Sequence, residues 1–303
     1  MKFKPTVAVL LAAYQGEKFI EDQIKSIINQ ENVNYDLFIN IDKSNDNTFA
    51  ISENFVKKFE NIKLLTSNNI YGSASKNFLN MLLMVNIDNY DYISFSDQDD
   101  IWLKNKLYSG INKIKSSEYS AYSSNAITFK KNSNTRKLLL KSQKQTKYDF
   151  LFEGGGPGCT YILKKDLAIR LQKNIQKNFN MIDNIWSHDW YIYYFARLHS
   201  YNWFIDKNSY ILYRQHDNNQ LGANLGFKNF FYRTKFVLSG KALNCSKINL
   251  ELCGHSDNLK YKYLLTKTKK SYLNMIINFY SCRRKLIDKF LFLITSIVLL
   301  ILK

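Results

Sequence analysis

Tyr92-Ile93-Ser94-Phe95-Ser96-Asp97-Gln98-Asp99-Asp100-Ile101-Trp102 is an apolar run that ends in three carboxylates within four residues. A buried strand reads this way when it delivers acidic side chains to the open edge of a sheet, where α/β proteins keep their ligands. Like charges gathered at such an edge repel, and the arrangement costs stability unless a cation sits among them. A divalent metal is the candidate.

Upstream of that run, strand and helix patterns alternate. Residues 7–13 are continuously apolar, and residues 19–30 place Ile20, Ile24, Ile27 and Ile28 on one helical face. Leu37-Phe38-Ile39-Asn40-Ile41 predicts a second strand, and residues 48–59 a helix capped by the polar cluster at 44–47. Residues 62–65 predict a short strand, Asn68-Asn69 a turn, and residues 73–85 a helix with Phe78, Leu82 and Val85 on one side. Strand, helix, strand, helix implies right-handed crossovers and an α/β fold with a Rossmann-like, mostly parallel central sheet flanked by helices. Every loop that follows a parallel strand opens on the same edge. Residues 12–14, Asp42 and residues 97–100 are therefore expected to converge on one nucleotide-sized crevice.

The middle of the chain, residues 119–219, is mixed and rich in Tyr, Phe and Trp. Gly154-Gly155-Gly156-Pro157-Gly158 marks a loop whose backbone can approach a ligand, residues 159–163 read as a strand, and residues 191–198 have helical spacing. No internal repeat appears, and no linker rich in Gly, Pro or Ser divides the chain. The expected organisation is a catalytic domain over residues 1–225 that continues into a basic helical tail over residues 226–303.

With 303 residues, 46% of them hydrophobic, a full core is within reach. The net charge of +18 is uneven, since residues 228–303 hold 15 basic side chains against 3 acidic ones. That asymmetry suits an anionic surface, and the chain's end favours lipid over nucleic acid. Arg283-Arg284-Lys285 precede residues 290–302, thirteen without a charge, whereas spanning a bilayer takes roughly 20 apolar residues. The reading is a helix dipping into the inner leaflet beneath a basic collar; the alternative is a core helix that closes the domain. The apolar stretch after Lys2 and Lys4 is too short for a secretory signal and runs straight into an amphipathic helix. Cys159, Cys245, Cys253 and Cys282 show no CxxC spacing, so neither a zinc site nor a disulfide framework is indicated, and a reduced cytosolic compartment fits.

Five segments in this order carry a resemblance. They are Val7-Ala8-Val9-Leu10-Leu11-Ala12-Ala13-Tyr14, Asp42-Lys43-Ser44-Asn45-Asp46-Asn47-Thr48, Phe95-Ser96-Asp97-Gln98-Asp99-Asp100, His188-Asp189-Trp190 and Tyr213-Arg214-Gln215-His216. Over roughly residues 6–225 the chain resembles family 2 glycosyltransferases of the GT-A fold, in particular the bacterial rhamnosyltransferase-like branch that builds surface polysaccharides. The resemblance implies an inverting transferase that moves a sugar from a nucleotide-sugar donor, dTDP-rhamnose or a UDP-sugar, to a lipid-linked saccharide acceptor at the cytoplasmic face of the inner membrane.

It also implies roles for residues. Ala12, Ala13, Tyr14, Glu17 and Asp42 would surround the nucleotide, with Asp42 accepting from the base, and Lys76 would face the donor. Where the family has two aspartates, a glycine and a serine, this chain has Ile41, Asp42, Lys43 and Ser44, which directs Lys43 toward a phosphate. Asp99 would ligate Mg²⁺ or Mn²⁺ directly, Asp97 would sit near the ribose or a metal-bound water, and His216 would complete the metal site. Arg214 would pair with phosphate oxygens. Asp189 would be the catalytic base, with Gly158, Trp186, His188 and Trp190 around the acceptor, the tryptophans stacking on sugar faces. For Asp42 and Asp189 the alternative is helix capping, and for His216 a structural histidine. Two other classes of function stay open: a non-catalytic nucleotide-sugar or saccharide-binding protein, and a nucleic-acid binder. No nucleic-acid recognition module is present, so the second ranks last.

Overall fold

Every side chain of the first strand, β1 (Thr6–Ala13), is buried from Val7 onward. Its alternate residues feed two cores. Ala8, Leu10 and Ala12 enter one cluster, while Val7, Val9, Leu11 and Ala13 enter the other, so both faces of the sheet are covered by helices. The computed structural model describes residues 4–65, 70–130, 133–216 and 234–302. The turn expected at Asn68-Asn69 and the boundary expected at 225/226 lie outside these residues.

The alternating pattern of the first hundred residues is realised as α1 (Ile20–Ile28), β2 (Asn34–Ile41), α2 (Thr48–Lys58), β3 (Ile62–Leu65), α3 (Ala74–Met84) and β4 (Tyr92–Asp97). Strands β3, β2, β1 and β4 lie side by side and parallel. On α1, Ile20, Ile24 and Ile27 are fully buried, one turn apart, against β1 and β2. At the start of α2 the cap residue Asn47 makes no side-chain cap bond, and Asp46, one residue earlier in the expected polar cluster, accepts through Oδ1 from the Thr48 amide at 3.1 Å.

Beyond β4 the sheet becomes mixed. The order continues β8 (Ile162–Lys164), β6 (Ala121–Lys130), β9 (Trp203–Arg214) and β5 (Ile101–Trp102), and β7 (Ser133–Leu139) pairs with the far half of β6. Because β8 is antiparallel to both of its neighbours, β6 and β9 run in the same direction as β1 to β4. The sheet is thus mostly parallel, as read from sequence. One element differs: residues 158–160 form a 3-10 turn, and the strand is Ile162–Lys164 instead of starting at Cys159. Gly156 at φ 140° and Pro157 keep the chain turning, and the Thr160 hydroxyl donates back to the Pro157 carbonyl at 2.7 Å.

Helices α5 (Lys165–Lys177) and α6 (His188–Leu198) cover the same face as α3, and α4 (Lys106–Lys115) the opposite one. The described C-terminal helices, Lys241–Leu252, Leu259–Leu265, Lys269–Ile277 and Leu286–Ile301, share the first of these cores through Leu250, Leu265, Tyr272, Met275 and Leu299. Arg284 fastens them. Its amide donates to Glu153 Oε1 at 2.7 Å and its Nη2 to the Gly154 carbonyl at 2.6 Å, with Asp149 Oδ2 at 3.7 Å from Nη1. Arg283 also turns toward the protein, donating to the Phe152 carbonyl at 3.0 Å. The expected basic collar is therefore not built from these two arginines, because the buried carboxylate of Asp149 and the half-buried one of Glu153 need cations and take them from 131 residues downstream in the case of Glu153.

Arg284→Ala strands Glu153 beside Asp149 and is expected to lower stability by about 3–5 kcal/mol. Arg283→Ala, whose carboxylate partners sit 3.7–3.8 Å away at a partly exposed site, should cost about 1 kcal/mol or less. Urea unfolding of both variants measures the difference, and equal losses would contradict the buried clamp.

Candidate active site

The register of the parallel strands decides what meets at the edge. Ala13 pairs with Ile41 and Ala12 with Asp97, so β1, β2 and β4 end level with one another and their loops open together. Gln98 joins two of these loops. The Tyr14 amide donates to Gln98 Oε1 and Gln98 Nε2 donates to the Tyr14 carbonyl, both at 2.8 Å. Gly16 makes the approach possible, since a Cβ there would lie 2.2 Å from Gln98 Oε1.

The loop after β1 is also tied to the loop after β2. The Gln15 amide donates to Ser44 Oγ at 2.9 Å and the Gly16 amide to Thr48 Oγ1 at 2.7 Å, while Glu17 Oε2 accepts from the Asn47 amide at 3.1 Å. Ala12 and Ala13 are buried, and the Tyr14 ring is 53% exposed over the edge. Asp42 reaches the same edge, but its carboxylate holds backbone: Oδ1 accepts from Tyr71 and Oδ2 from Gly72, at 3.1 and 2.7 Å. It thereby fixes the start of α3, where Lys76 pairs with Asp183 at 3.0 Å.

The end of β4 is the most charged part of the site. Asp97 and Asp99 are half-buried and Asp100 fully buried. Burial first, then the carboxylates of Asp99 and Asp189, push Asp97 up to about 7. Asp100 is held well above the usual carboxylate range by the same cause and by Asp99 and Asp97. His216 Nε2 lies 2.7 Å from Asp99 Oδ2, and its ring stacks on Phe19 at 4.7 Å. The pairing of Ile101 with Leu212 brings this histidine in from β9.

Arg214, expected at a phosphate, is buried and committed elsewhere. Its amide donates to Asp100 Oδ1 at 3.3 Å, Nε to the Asp99 carbonyl at 2.9 Å and Nη2 to Asp22 Oδ2 at 3.1 Å. Its role here is to hold the acidic loop in shape.

Across the crevice, α6 begins with Ser187 as its cap, accepting from the Trp190 amide, while Asp189 Oδ1 accepts from that amide at 2.7 Å and from the Ser187 hydroxyl. Burial raises Asp189 to about 6, against the Trp190 amide and Lys141, which lower it. Since Asp189 acts on Asp97 electrostatically, the carboxylate of α6 and those of β4 share one field. His188 lies beneath this site rather than in it. Its imidazole is buried against Phe78 at 4.3 Å, and burial lowers it to about 3, so it is neutral at physiological pH. Gly158 lets it fit, because a Cβ there would stand 2.6 Å from His188 Nε2 and 3.2 Å from Asp189 Cβ. Trp190 is fixed through its indole N–H, which donates to the Phe150 carbonyl at 2.8 Å. Trp186 stands outward, its ring tilted against Phe236 at 4.8 Å.

Sequence reasoning missed several partners. Gln98 sits between acids, where an amide draws no notice. Cys159 faces Asp97 and Asp100, the three ligand atoms all lying within 4.8 Å of one another. Burial and those acids keep its thiol protonated, which makes it a poor ligand beside carboxylates. Lys106 is buried under the same loop and donates to Ser94 Oγ at 2.7 Å; its position four residues after Trp102 is the signal that could have found it. Among the described residues the ligand atoms that lie together are those of Asp97, Asp100 and Cys159; Asp99 and His216, 2.7 Å apart beside the same loop, add a hard oxygen and one nitrogen, donor types that Mg²⁺ or Mn²⁺ accepts.

Comparison with known proteins bears on this geometry. Residues 8–163 match the family model described as Glycosyl transferase family 2. A dTDP-rhamnosyl transferase of Shigella flexneri, RfbG, is 40% identical over 293 residues, covering 95% of this chain and 99% of that protein. A UDP-Glc:alpha-D-GlcNAc-diphosphoundecaprenol beta-1,3-glucosyltransferase of Escherichia coli, WfgD, is 32% identical over 163 residues, 53% of this chain and 61% of that one. Among solved structures, S. aureus TarS 1-349 in complex with UDP superposes with a TM-score of 0.57 at 14% identity, over 97% of this chain and 89% of that one. The mannosyltransferase PcManGT from Pyrobaculum calidifontis, in complex with GDP-Man and Mn²⁺, gives 0.54 at 12% identity, over 99% and 88%. At such identities the structural likeness is one of fold alone.

Gly158→Ala is expected to displace His188 and Asp189 and to lower kcat roughly a hundredfold. Nucleotide affinity, measured by calorimetry, should stay near that of the unaltered protein, because the β1 and β4 loops are untouched.

Proposed function

The chain belongs to glycosyl transferase family 2 and is a glycosyltransferase, and from that premise we propose that it moves rhamnose from dTDP-rhamnose to a lipid-linked saccharide acceptor, with inversion, in the synthesis of a bacterial surface polysaccharide. The donor follows from the Shigella flexneri relative, which matches along nearly its whole length. Residues 1–225 would carry the chemistry and residues 226–303 the approach to the cytoplasmic face of the inner membrane, where a peripheral enzyme meets such an acceptor. No described helix is long and apolar enough to cross a membrane.

One observation supports the mechanism above the others: Asp189 stands against Gly158, and the adjoining Cys159 faces Asp97 and Asp100, so the carboxylate of α6 and the acidic end of β4 border one crevice. Asp189 takes the proton from the acceptor hydroxyl as that oxygen bonds to the anomeric carbon, and the bond from that carbon to the diphosphate oxygen breaks in the same displacement. A Mg²⁺ or Mn²⁺ held by Asp99, Asp97 and His216 would supply neutralisation of the charge that develops on the leaving diphosphate. The loop after β1 and Asp42 border the nucleotide, with Tyr14 exposed to stack or to close over it. Trp190 and Trp186 offer apolar faces to sugar rings.

Release of free nucleoside diphosphate from dTDP-rhamnose and from UDP-glucose, measured side by side, tests the donor; faster turnover of UDP-glucose would overturn rhamnose. Activity should vanish with EDTA and return with Mn²⁺ or Mg²⁺, and Asp99→Asn should lose roughly a hundredfold or more.

Asp189→Asn is expected to lower kcat by about 10²–10⁴. The pH profile carries a sign: a base whose carboxylate is protonated below about 6 makes kcat/KM fall tenfold per unit on the acid side of that value and level off above it. An acid limb unchanged in Asp189→Asn would assign the base elsewhere.

A further inference from the structure

The terminal helix Leu286–Ile301 packs Leu299 into the core and yet buries two polar side chains while exposing a row of large apolar ones. Its inward side carries Lys289 and Ser296, 6% and 2% exposed, with Lys289 Nζ 3.4 Å from the centre of the Tyr280 ring and the Ser296 hydroxyl donating to the Phe292 carbonyl. Its outward side carries Ile287, Phe290, Ile294 and Ile301, between 50% and 77% exposed. A helix washed by water places these residues the other way round. The neighbouring helix Lys269–Ile277 adds to the same surface with Leu273 and Ile277, and Phe279 meets Phe290 at 6.1 Å where the two helices join. Two packed helices thus expose six large apolar side chains between them, more than a scatter of surface leucines.

We propose that this two-helix face docks on an anionic phospholipid surface, lying along it instead of crossing it. The proposal deepens the reading of a lipid-linked acceptor and rests on it. Sixteen residues make a helix about 24 Å long, too short to span, and none among the described helices meets the length and hydropathy needed. Exposed Lys269 and Lys270 open the stripe, Lys270 standing three and seven residues before Leu273 and Ile277, and exposed Lys285 precedes Leu286. Lipid is favoured over a second copy of the chain by charge. Residues 228–303 carry 15 basic and 3 acidic side chains, so two identical faces brought together repel, whereas anionic headgroups attract. The face is tethered to the catalytic half, because Arg284, two residues before the helix, donates to the Gly154 carbonyl in the loop that packs against Trp190.

Flotation of the full chain with vesicles of phosphatidylcholine alone, or of phosphatidylcholine mixed with phosphatidylglycerol, tests the proposal. The protein should float with the mixed vesicles and remain behind with the neutral ones. The triple variant Ile287→Ser, Phe290→Ser, Ile294→Ser should bind the mixed vesicles roughly tenfold less or weaker still, its nucleotide binding unchanged. The triple variant Lys269→Ser, Lys270→Ser, Lys285→Ser should lose the preference for anionic lipid. Flotation of the apolar variant equal to that of the unaltered chain overturns the proposal. So does a dimer, seen by sedimentation velocity, that the apolar variant dissolves without any change in flotation. Anionic flotation by a protein that turns over no nucleotide sugar would uphold the docking face while removing the transferase reading.

Discussion

Mutual repulsion among carboxylates is the constraint on which this molecule is built. Asp97, Asp99 and Asp100 leave one strand end, and Asp189 faces them from α6. Two like charges about 4 Å apart oppose each other by roughly 4 kcal/mol at the screening typical near a protein surface. Protonation, favoured by burial at Asp100 and Asp97, relieves part of this, and neighbouring cations offset more. Arg214 donates to Asp100 and to the backbone of Asp99, and buried Lys106 stands near Asp100. Yet burial brings the Lys106 ammonium down to about 7, so near neutral pH it supplies only part of a charge. What remains is a cleft with a standing preference for a cation, which is what handling a diphosphate demands.

Stiff loops follow from the same demand. Acidic side chains that repel would spread if their backbone allowed it. Gln98 prevents this by bonding both backbone groups of Tyr14, and Arg214 does so from the opposite side, its guanidinium resting over Phe19 and Phe129 at 5.1 and 5.0 Å. Asp42 and His188 belong to this scaffold as much as to any ligand, one through the amides of Tyr71 and Gly72, the other as a neutral ring wedged under Asp189. Binding thus meets a crevice already shaped, and little ordering cost falls on the substrate.

The sequence was most legible where local pattern and burial coincide. β1 is apolar and buried on both faces, so its run is continuous, β2 and β4 are buried through their centres, and the isoleucines of α1 repeat at helical spacing. Once these alternate, topology alone brings Ala13, Asp42 and Asp97 together. The long pair β6 and β9, exposed toward the end of the first and in the middle of the second, alternates too weakly to be read and was only a mixed region. Contacts made across great chain distances were likewise silent. Arg214 looks like a phosphate ligand until Asp22 and Asp99 claim it, and Arg283-Arg284 looks like a lipid collar until Asp149 and Glu153 do. Cys159 was absorbed into an apolar run that Gly156 and Pro157 in fact keep bent.

The Arg284 clamp sets a phase as well as a contact. With its guanidinium seated between Glu153 and Gly154, only Lys285 separates a fixed point from the first residue of the terminal helix. Each residue of a helix advances about 100° around its axis, so adding or removing one there would swing Ile287, Phe290 and Ile294 away from their direction and roll Lys289 toward the outside. The spacing between the loop at Glu153 and Gly154 and the outer helix is therefore a rigid dimension of the protein, inherited as a number of residues and indifferent to which residue fills position 285.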